Sequence, residues 1–345
     1  MRTLKVLVIV GWSGLFGVAG VARAEQDLAS LFGPLLGYVY DPAWQGIRAI
    51  RGIPGAAVLD RPADLGLALR AAVIAPSHEY ALVITADADR LGIVDLREQP
   101  RLTRIMEGQW SGPIRMAISP AGTAAALHSP AEAGVWIING LPDHPWWAGR
   151  LELAREQVLG DFAVSDDGTV VLAAVASSSQ GGVLVLAPQG PTRVLFPSLR
   201  ASAVAFLKHS LDAVIAEGER NEVYCLRDVK GAAELMRLAS VADGISGPTS
   251  LAVSGDGSLL WVGNAQTNTV ATVPLEGGPV RLISCPRAAS ELQPLRGNAV
   301  VRVGPGTSPP LWILQTGPDE SKLLFVPEIQ SSADEPQNEL EGGGR

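Results

Sequence analysis

The sequence predicts an all-β fold, a β-propeller built of four-stranded blades. A hairpin motif recurs along the chain as an apolar strand, a polar turn and a second apolar strand that ends in a polar loop. Copies begin at Ala72, Met116, Phe162, Val204 and Leu251, at intervals of 44, 46, 42 and 47 residues. A four-stranded unit repeated every ~40 to 50 residues is typical of propeller blades.

Each hairpin is followed by a third apolar run, and in five of the six copies by a fourth; the C-terminal copy lacks the fourth. "LGIVDL" and "TVATVP" are examples of the third strand, and "PVRLIS" of the fourth. Small residues in "LAV", "FAV" and "MAI" indicate that the first strand lies nearest the crowded axis. Asp167 and Asp256 precede Gly in the hairpin turns, and because Gly supplies the positive φ of such turns we interpret both carboxylates as structural.

The ends of the repeat region determine the number of blades. A looser sixth copy begins at Asn298, with Trp312 in the role of Trp261. Upstream of the first copy, "GYVYD" and "IRAIRG" read as the second half of a blade. We predict that this N-terminal "IRAIRG" strand completes the last blade and closes a ring of six. Seven blades form instead if the N-terminal segment, with "LASLFGPLL", builds a blade of its own.

The N-terminal residues predict export. Arg2 and Lys5 precede an uncharged apolar stretch and the sequence Ala22-Arg23-Ala24, the layout of a signal peptide; an uncleaved anchor is the alternative. We therefore expect a signal peptide over residues 1–24, one propeller domain over 25–327 and a disordered acidic, Gly-rich tail over 328–345. The mature protein is expected in the periplasm or outside the cell, as a monomer without a membrane span.

Composition excludes some functions. The chain of 345 residues is 47% apolar, and its net charge is -8. No cluster of Lys and Arg is present, so we do not expect a nucleic-acid partner. Export would permit a disulfide between Cys225 and Cys285, but two separate apolar thiols are the favoured interpretation.

The stretch "LAVSGDGSLLWVGNAQTNTVATVPLEG" resembles the YVTN type of propeller repeat, which is related to lactonase-like and more distantly to WD-repeat propellers. The resemblance covers roughly residues 36 to 327. It implies the fold and leaves the activity open, because these propellers serve as enzymes, binders and scaffolds. The repeat from Val204 departs from the pattern, since its turn lacks Gly, and no blade carries the Trp-Asp pair of WD repeats.

The ends of the second strands provide one candidate site. Loops that follow second strands border the mouth of a propeller channel, where small molecules bind. The aligned positions are Thr85, Ser129, Val175, Glu217, Asn264 and Gln315, with Asp87 and His128 nearby. Five of the six are polar, which indicates a ligand-binding ring; the alternative is that strand ends are polar because they meet water.

Two functions follow. The chain has no His-Glu-x-x-His, Gly-x-Ser-x-Gly or phosphate-loop motif, so we favour a non-enzymatic binding or scaffold protein. Its partner would be another protein, a glycan or a small molecule, and no cofactor is expected. The alternative is a hydrolase. Resemblance to lactonase-like propellers implies a divalent cation such as calcium, which Glu217, Asn264 and Asp87 would hold.

Overall fold

The computed structural model describes residues 34–110, 112–130, 134–153, 157–176, 181–188, 190–198, 200–304 and 310–329. These residues form seven antiparallel sheets that follow one another along the chain. The propeller fold is confirmed, with seven blades, the larger of the two numbers that the sequence allowed. The predicted signal peptide and most of the predicted tail lie outside the described residues.

The strands are assigned to blades as follows. Blade 1 contains β1 (Leu35–Asp41), β2 (Gly46–Arg51) and β3 (Val58–Pro62). Blade 2 contains β4 (Leu69–Ile74), β5 (Tyr80–Thr85), β6 (Arg90–Asp95) and β7 (Arg101–Gln109). Blade 3 contains β8 (Arg115–Ile118), β9 (Ala124–His128), β10 (Gly134–Asn139) and β11 (Trp146–Glu152). Blade 4 contains β12 (Val158–Val164), β13 (Val171–Ala176), β14 (Gly182–Leu186) and β15 (Arg193–Pro197).

Three more blades complete the ring. Blade 5 contains β16 (Ala201–Phe206), β17 (Ala213–Glu217), β18 (Glu222–Arg227) and β19 (Glu234–Ala239). Blade 6 contains β20 (Pro248–Val253), β21 (Leu259–Asn264), β22 (Thr269–Pro274) and β23 (Arg281–Ser284). Blade 7 contains β24 (Leu292–Pro294), β25 (Val300–Val303), β26 (Leu311–Gln315) and β27 (Lys322–Val326). One short 3₁₀ helix, Val241–Asp243, precedes β20.

The core lies between neighbouring blades. The second strands are apolar on both faces, because each face packs against an adjacent sheet, and every residue of β5 is buried. Val214 and Val223 of blade 5, for example, share one cluster with Val262 and Ala271 of blade 6. A valine side chain contributes about 1.5–3 kcal/mol when it is fully buried, so each blade depends on its neighbours for much of its stability.

The hairpin turns are built as the sequence predicted. Gly168 and Gly257 have φ values of 64° and 72°. Asp167 accepts hydrogen bonds from the Ser165 hydroxyl at 2.6 Å and from the Thr169 backbone N–H at 3.0 Å. Asp256 is held in the same way by Ser254. These carboxylates therefore close turns.

The two cysteines do not form a disulfide. Cys225 is buried in β18, and Cys285 is half-buried after β23, where burial raises the pKa of its thiol to about 11. The described residues contain no helix of the length and apolarity that a membrane crossing requires.

Blade 1 differs from the others in its place around the axis. The end of β1 lies beside the start of β4, because the Tyr40 hydroxyl donates to the Leu69 carbonyl at 2.9 Å. The start of β1 lies beside the turn that follows β24, since the Arg296 backbone N–H donates to the Leu36 carbonyl at 2.8 Å. β1 thus runs opposite to the first strands of blades 2 and 7. It occupies the place of a second strand, and no described residue forms a first strand in this blade.

The ring is closed by the C-terminal end of the chain. The Leu59 N–H of β3 donates to the Pro327 carbonyl at 2.8 Å, and the Ile329 N–H donates to the Leu59 carbonyl at 3.2 Å. Residues 327–329 therefore extend along the outer edge of blade 1, parallel to β3. The predicted closure by an N-terminal strand is wrong: Gly46–Arg51 pairs within its own sheet, and blade 7 has four strands of its own.

Candidate functional site

The polar positions at the second-strand ends lie on one face of the ring, which we call the loop face. Thr85, Glu217 and Asn264 end β5, β17 and β21, and Ser129 directly follows β9. All four are buried, with 1%, 1%, 0% and 1% of Thr85, Glu217, Asn264 and Ser129 exposed. They do not present an open ring of ligand-binding groups to solvent.

Glu217 and Asn264 hold the loops of their own blades together. The Glu217 carboxylate accepts from the Ser198 hydroxyl at 2.6 Å and from the Arg220 backbone N–H at 2.5 Å. The Asn264 amide accepts from the Ser246 N–H at 3.1 Å and donates to the Thr269 hydroxyl at 3.0 Å. Each side chain joins the loop before its blade to the loop after the second strand. The polarity of this column therefore has a structural cause.

The remaining loop-face candidates are also held locally. Asp87 is exposed on the turn after β5, where a hydrogen bond with Thr85 lowers the pKa of its carboxyl group. His128 Nδ1 lies 3.0 Å from the Gly134 carbonyl oxygen, and its ring lies edge-on to Phe162 at 6.5 Å.

Gln315 was assigned to the wrong strand by the sequence alignment. It ends β26, the third strand of blade 7, and pairs with Val300 at the beginning of β25. It therefore lies on the opposite face, which carries the turns between first and second strands and which we call the turn face. The alignment missed β24 because this strand has only three residues and ends at Pro294. Trp312 accordingly lies in a third strand, whereas Trp261 lies in a second.

The loop-face carboxylates do not fit a calcium site well. Calcium takes six to eight oxygen ligands, whereas Glu217 and Asn264 already hold donors of their own blades. A cation shared between them would have to compete with these hydrogen bonds. Among the residues that the structure describes, no three His, Cys, Asp or Glu side chains are grouped as a metal centre.

A large cavity among the described residues opens on the turn face. It lies on the axis, has a volume of about 580 Å³ and is lined by first strands and their turns from blades 2 to 7. Partly exposed apolar residues from four blades line it, namely Ile118, Ala163, Ala205 and Val253. Pockets for small ligands usually measure about 300–1,000 Å³, so the cavity has the size of a ligand site, and its surface is apolar and polar in similar measure.

The charged residues that line this cavity are cationic. Among the described residues of its lining, the charged side chains are Lys208 and Arg296, in the turns of blades 5 and 7. Lys208 is exposed, and Arg296 is half-buried and donates from its guanidinium to the His78 carbonyl at 3.1 Å. The mouth is therefore cationic, although the protein as a whole carries a net charge of -8.

An ion pair lies at the inner end of the cavity. Arg115 of β8 and Asp161 of β12 approach to 3.5 Å. The Arg115 guanidinium lies over the Phe162 ring at 5.5 Å, and Asp161 accepts from the Val204 N–H at 2.9 Å. Because Phe162 and Val204 both line the cavity, the ion pair borders its inner end.

Asp161 is a titratable group whose pKa this environment changes. Its side chain is 32% exposed. Neighbouring protein atoms nevertheless surround the carboxyl group and remove much of its hydration. Desolvation raises the pKa of its carboxyl group, and the Val204 N–H and Arg115 only partly oppose this. A perturbed carboxyl in a cleft is a common feature of functional sites. The sequence carried one signal for it, since Arg115 and Asp161 directly precede the hairpin copies in adjacent repeats.

Comparison with known proteins shows the fold alone. No protein-family model and no curated protein matches the chain. A periplasmic gluconolactonase from Pseudomonas aeruginosa superposes with a TM-score of 0.56 at 16% identity, over 86% of this chain and 97% of that one. A putative 6-phosphogluconolactonase from Bacteroides uniformis superposes with a TM-score of 0.57 at 14% identity, over 84% of this chain and 94% of that one. A protein from Lactobacillus plantarum superposes with a TM-score of 0.58 at 16% identity, over 85% of this chain and 96% of that one.

Proposed function

We propose that this protein is a non-enzymatic binding propeller whose ligand is a small molecule held in the axial cavity. The cavity of about 580 Å³ on the turn face carries this proposal. The apolar part of its wall offers hydrophobic burial to a ligand, which is the main source of affinity in such pockets. The hydrogen bonds that engage Glu217 and Asn264 support recognition on the turn face rather than on the loop face.

We also infer that the protein works outside the cytoplasm. The charged start, apolar stretch and Ala22-Arg23-Ala24 of the N-terminal residues support removal of residues 1–24 during export. The YVTN-type repeat pattern supports the same class of exported propellers. Its partner would then be a compound met in the periplasm or at the cell surface.

The binding proposal is tested with the neutral apolar fluorophore N-phenyl-1-naphthylamine. We expect saturable binding with one site per chain, and loss of binding in Ala205→Trp, because Ala205 lines the cavity and an indole would fill it. Asn298→Trp at the mouth is a second variant that leaves the core unchanged. Ala232→Trp, on the exposed turn after β18, is the control.

Thermal melts verify that each variant is folded. If the probe does not bind the wild-type protein, or if both cavity variants bind it as well as Ala232→Trp does, the axial cavity is not the ligand site.

A metal-dependent hydrolase is the second candidate, supported by fold similarity to gluconolactonases. Under the binding proposal, a chelator leaves the melting temperature of residues 25–345 unchanged, and added calcium has no effect. A cation that binds only the folded state must raise the melting temperature. A fall with chelator that calcium reverses, and that Glu217→Ala abolishes, would favour the hydrolase.

A further inference from the structure

We propose that the ligand is an organic anion, an apolar molecule with one carboxylate, sulfonate or phosphate group, whose charge lies at the turn-face mouth. This inference rests on the proposed function and adds the chemical class of the ligand and its orientation. It follows from where the charges of the cavity lie.

The cationic groups are at the entrance. Lys208 and Arg296 come from blades 5 and 7 and so stand on either side of the blade 6 turn, around Ser254 and Gly255. The described lining contains no Asp or Glu side chain. An anion at this mouth gains attraction from two cations. The nearby carboxylate of Asp166 is engaged by the Ala121 N–H at 2.6 Å and the His209 N–H at 2.7 Å.

Groups at the inner end are already paired. Asp161 interacts with Arg115 and accepts from the Val204 N–H, and Arg115 also donates to the Leu159 carbonyl at 3.1 Å. A ligand charge placed here would have to displace these contacts. The charged group of the ligand is therefore expected at Lys208 and Arg296, and its apolar part inside.

The apolar part of the wall favours an apolar body. Side chains such as Ile118, Ala163 and Val253 offer no hydrogen bonds, so hydroxyl groups placed against them would have no partners there. An aromatic or aliphatic body gains hydrophobic free energy instead. Apolar anions therefore fit the cavity better than free sugars.

The test compares two probes that differ in one group. The compound 8-anilino-1-naphthalenesulfonate has the skeleton of N-phenyl-1-naphthylamine plus a sulfonate. We expect the sulfonate probe to bind one site at least about fivefold more tightly than the neutral probe, an advantage in the range of a water-exposed charge pair. Added salt should weaken the binding of the sulfonate probe and leave the binding of the neutral probe unchanged.

Charge variants then locate the anion. Lys208→Gln and Arg296→Gln should each reduce the affinity for the sulfonate probe severalfold, and together remove its advantage, while the affinity for the neutral probe is kept. Lys230→Gln is the matched control, because Lys230 is another exposed lysine that pairs with Asp167 and does not line the cavity. It should change neither affinity.

The outcomes separate this inference from the binding proposal. If the neutral probe binds and Ala205→Trp blocks it, but the two probes bind equally or the charge variants act like Lys230→Gln, the anion assignment fails alone. If neither probe binds in the cavity, the binding proposal fails with it.

Discussion

Replacing His78 with glutamine is expected to make the fold more resistant to acid. His78 lies in the turn after β4 and is 1% exposed. Its Nδ1 accepts the Tyr38 N–H at 3.0 Å, and its Nε2 lies 2.9 Å from the Pro294 carbonyl. The ring therefore joins blades 1, 2 and 7, and it bonds to the edge of β1 where other blades have a first strand.

This arrangement requires a neutral imidazole. Nδ1 can accept from Tyr38 only without a proton, so the proton of the neutral ring is on Nε2 and faces Pro294. Burial lowers the pKa of His78 to about 4 from an ordinary value of 6.5, and Arg296 adds to the effect. Glutamine offers one acceptor and one donor without a titratable group, so it can keep both contacts.

The sign of the pH effect follows from this lowered pKa. Between pH 4 and 6.5 the unfolded chain binds a proton at His78 that the folded chain does not. The contribution of this group to the unfolding free energy therefore falls as pH falls through that range. It is fully present above pH 6.5. The difference in pKa corresponds to about 3 kcal/mol of unfolding free energy.

Urea unfolding at pH 7.5 and pH 4.5 measures the effect. We expect His78→Gln to reduce the loss of unfolding free energy between these pH values by about 2 kcal/mol or more. The control is His209→Gln, at the equivalent turn of blade 5, because His209 has a similar φ of 57° but a side chain 72% exposed. Equal pH dependence in wild type and His78→Gln would show that His78 does not control acid stability.

The fold was predictable from sequence because each blade repeats the same local physics. Buried second strands need continuous apolar runs, and the turns at Asp167 and Asp256 need a Gly with positive φ and an Asp to accept hydrogen bonds. These requirements recur in several blades, so the repeat is visible in one sequence. Prediction of the strand order within the blades followed from the same pattern.

The ends of the ring were not predictable in this way. β24 is three residues long, and blade 1 has β1 in the place of a second strand, so neither matches the repeat. Closure depends on Leu59 and residues 327–329, which pair with each other although they are far apart in the sequence. Such contacts do not produce a repeated pattern in the sequence.

The candidate residues on the loop face were chosen because their positions repeat from blade to blade. The polar column at Glu217 and Asn264 recurs because each blade has loops to join, which is a structural need. The axial cavity instead is lined by different residues in different blades, such as Ile118, Lys208 and Arg296. One residue per blade, each of a different type, gives no pattern until the ring is assembled.

The closure of the ring depends on Arg48. This β2 guanidinium is 4% exposed and lies 2.9 Å from Asp41 and 2.5 Å from Glu328, while its Nε donates to the Asp60 carbonyl at 2.7 Å. Arg48 therefore connects the core of blade 1 with the C-terminal segment along its outer edge. Removal of one partner of a buried ion pair leaves the other charge without compensation, which costs about 3–5 kcal/mol.

We accordingly expect Arg48→Met to lower the unfolding free energy by about 3–5 kcal/mol in urea denaturation. Arg51→Met on the same strand is the matched control, and it should cost about 1 kcal/mol or less because its pair with Asp60 is partly exposed. The double variant Asp41→Asn, Arg48→Met should recover part of the loss, since Asn can still accept from the Ala43 N–H. If Arg48→Met costs no more than Arg51→Met, the segment at residues 327–329 is held by its backbone bonds, and the buried pair does not close the ring.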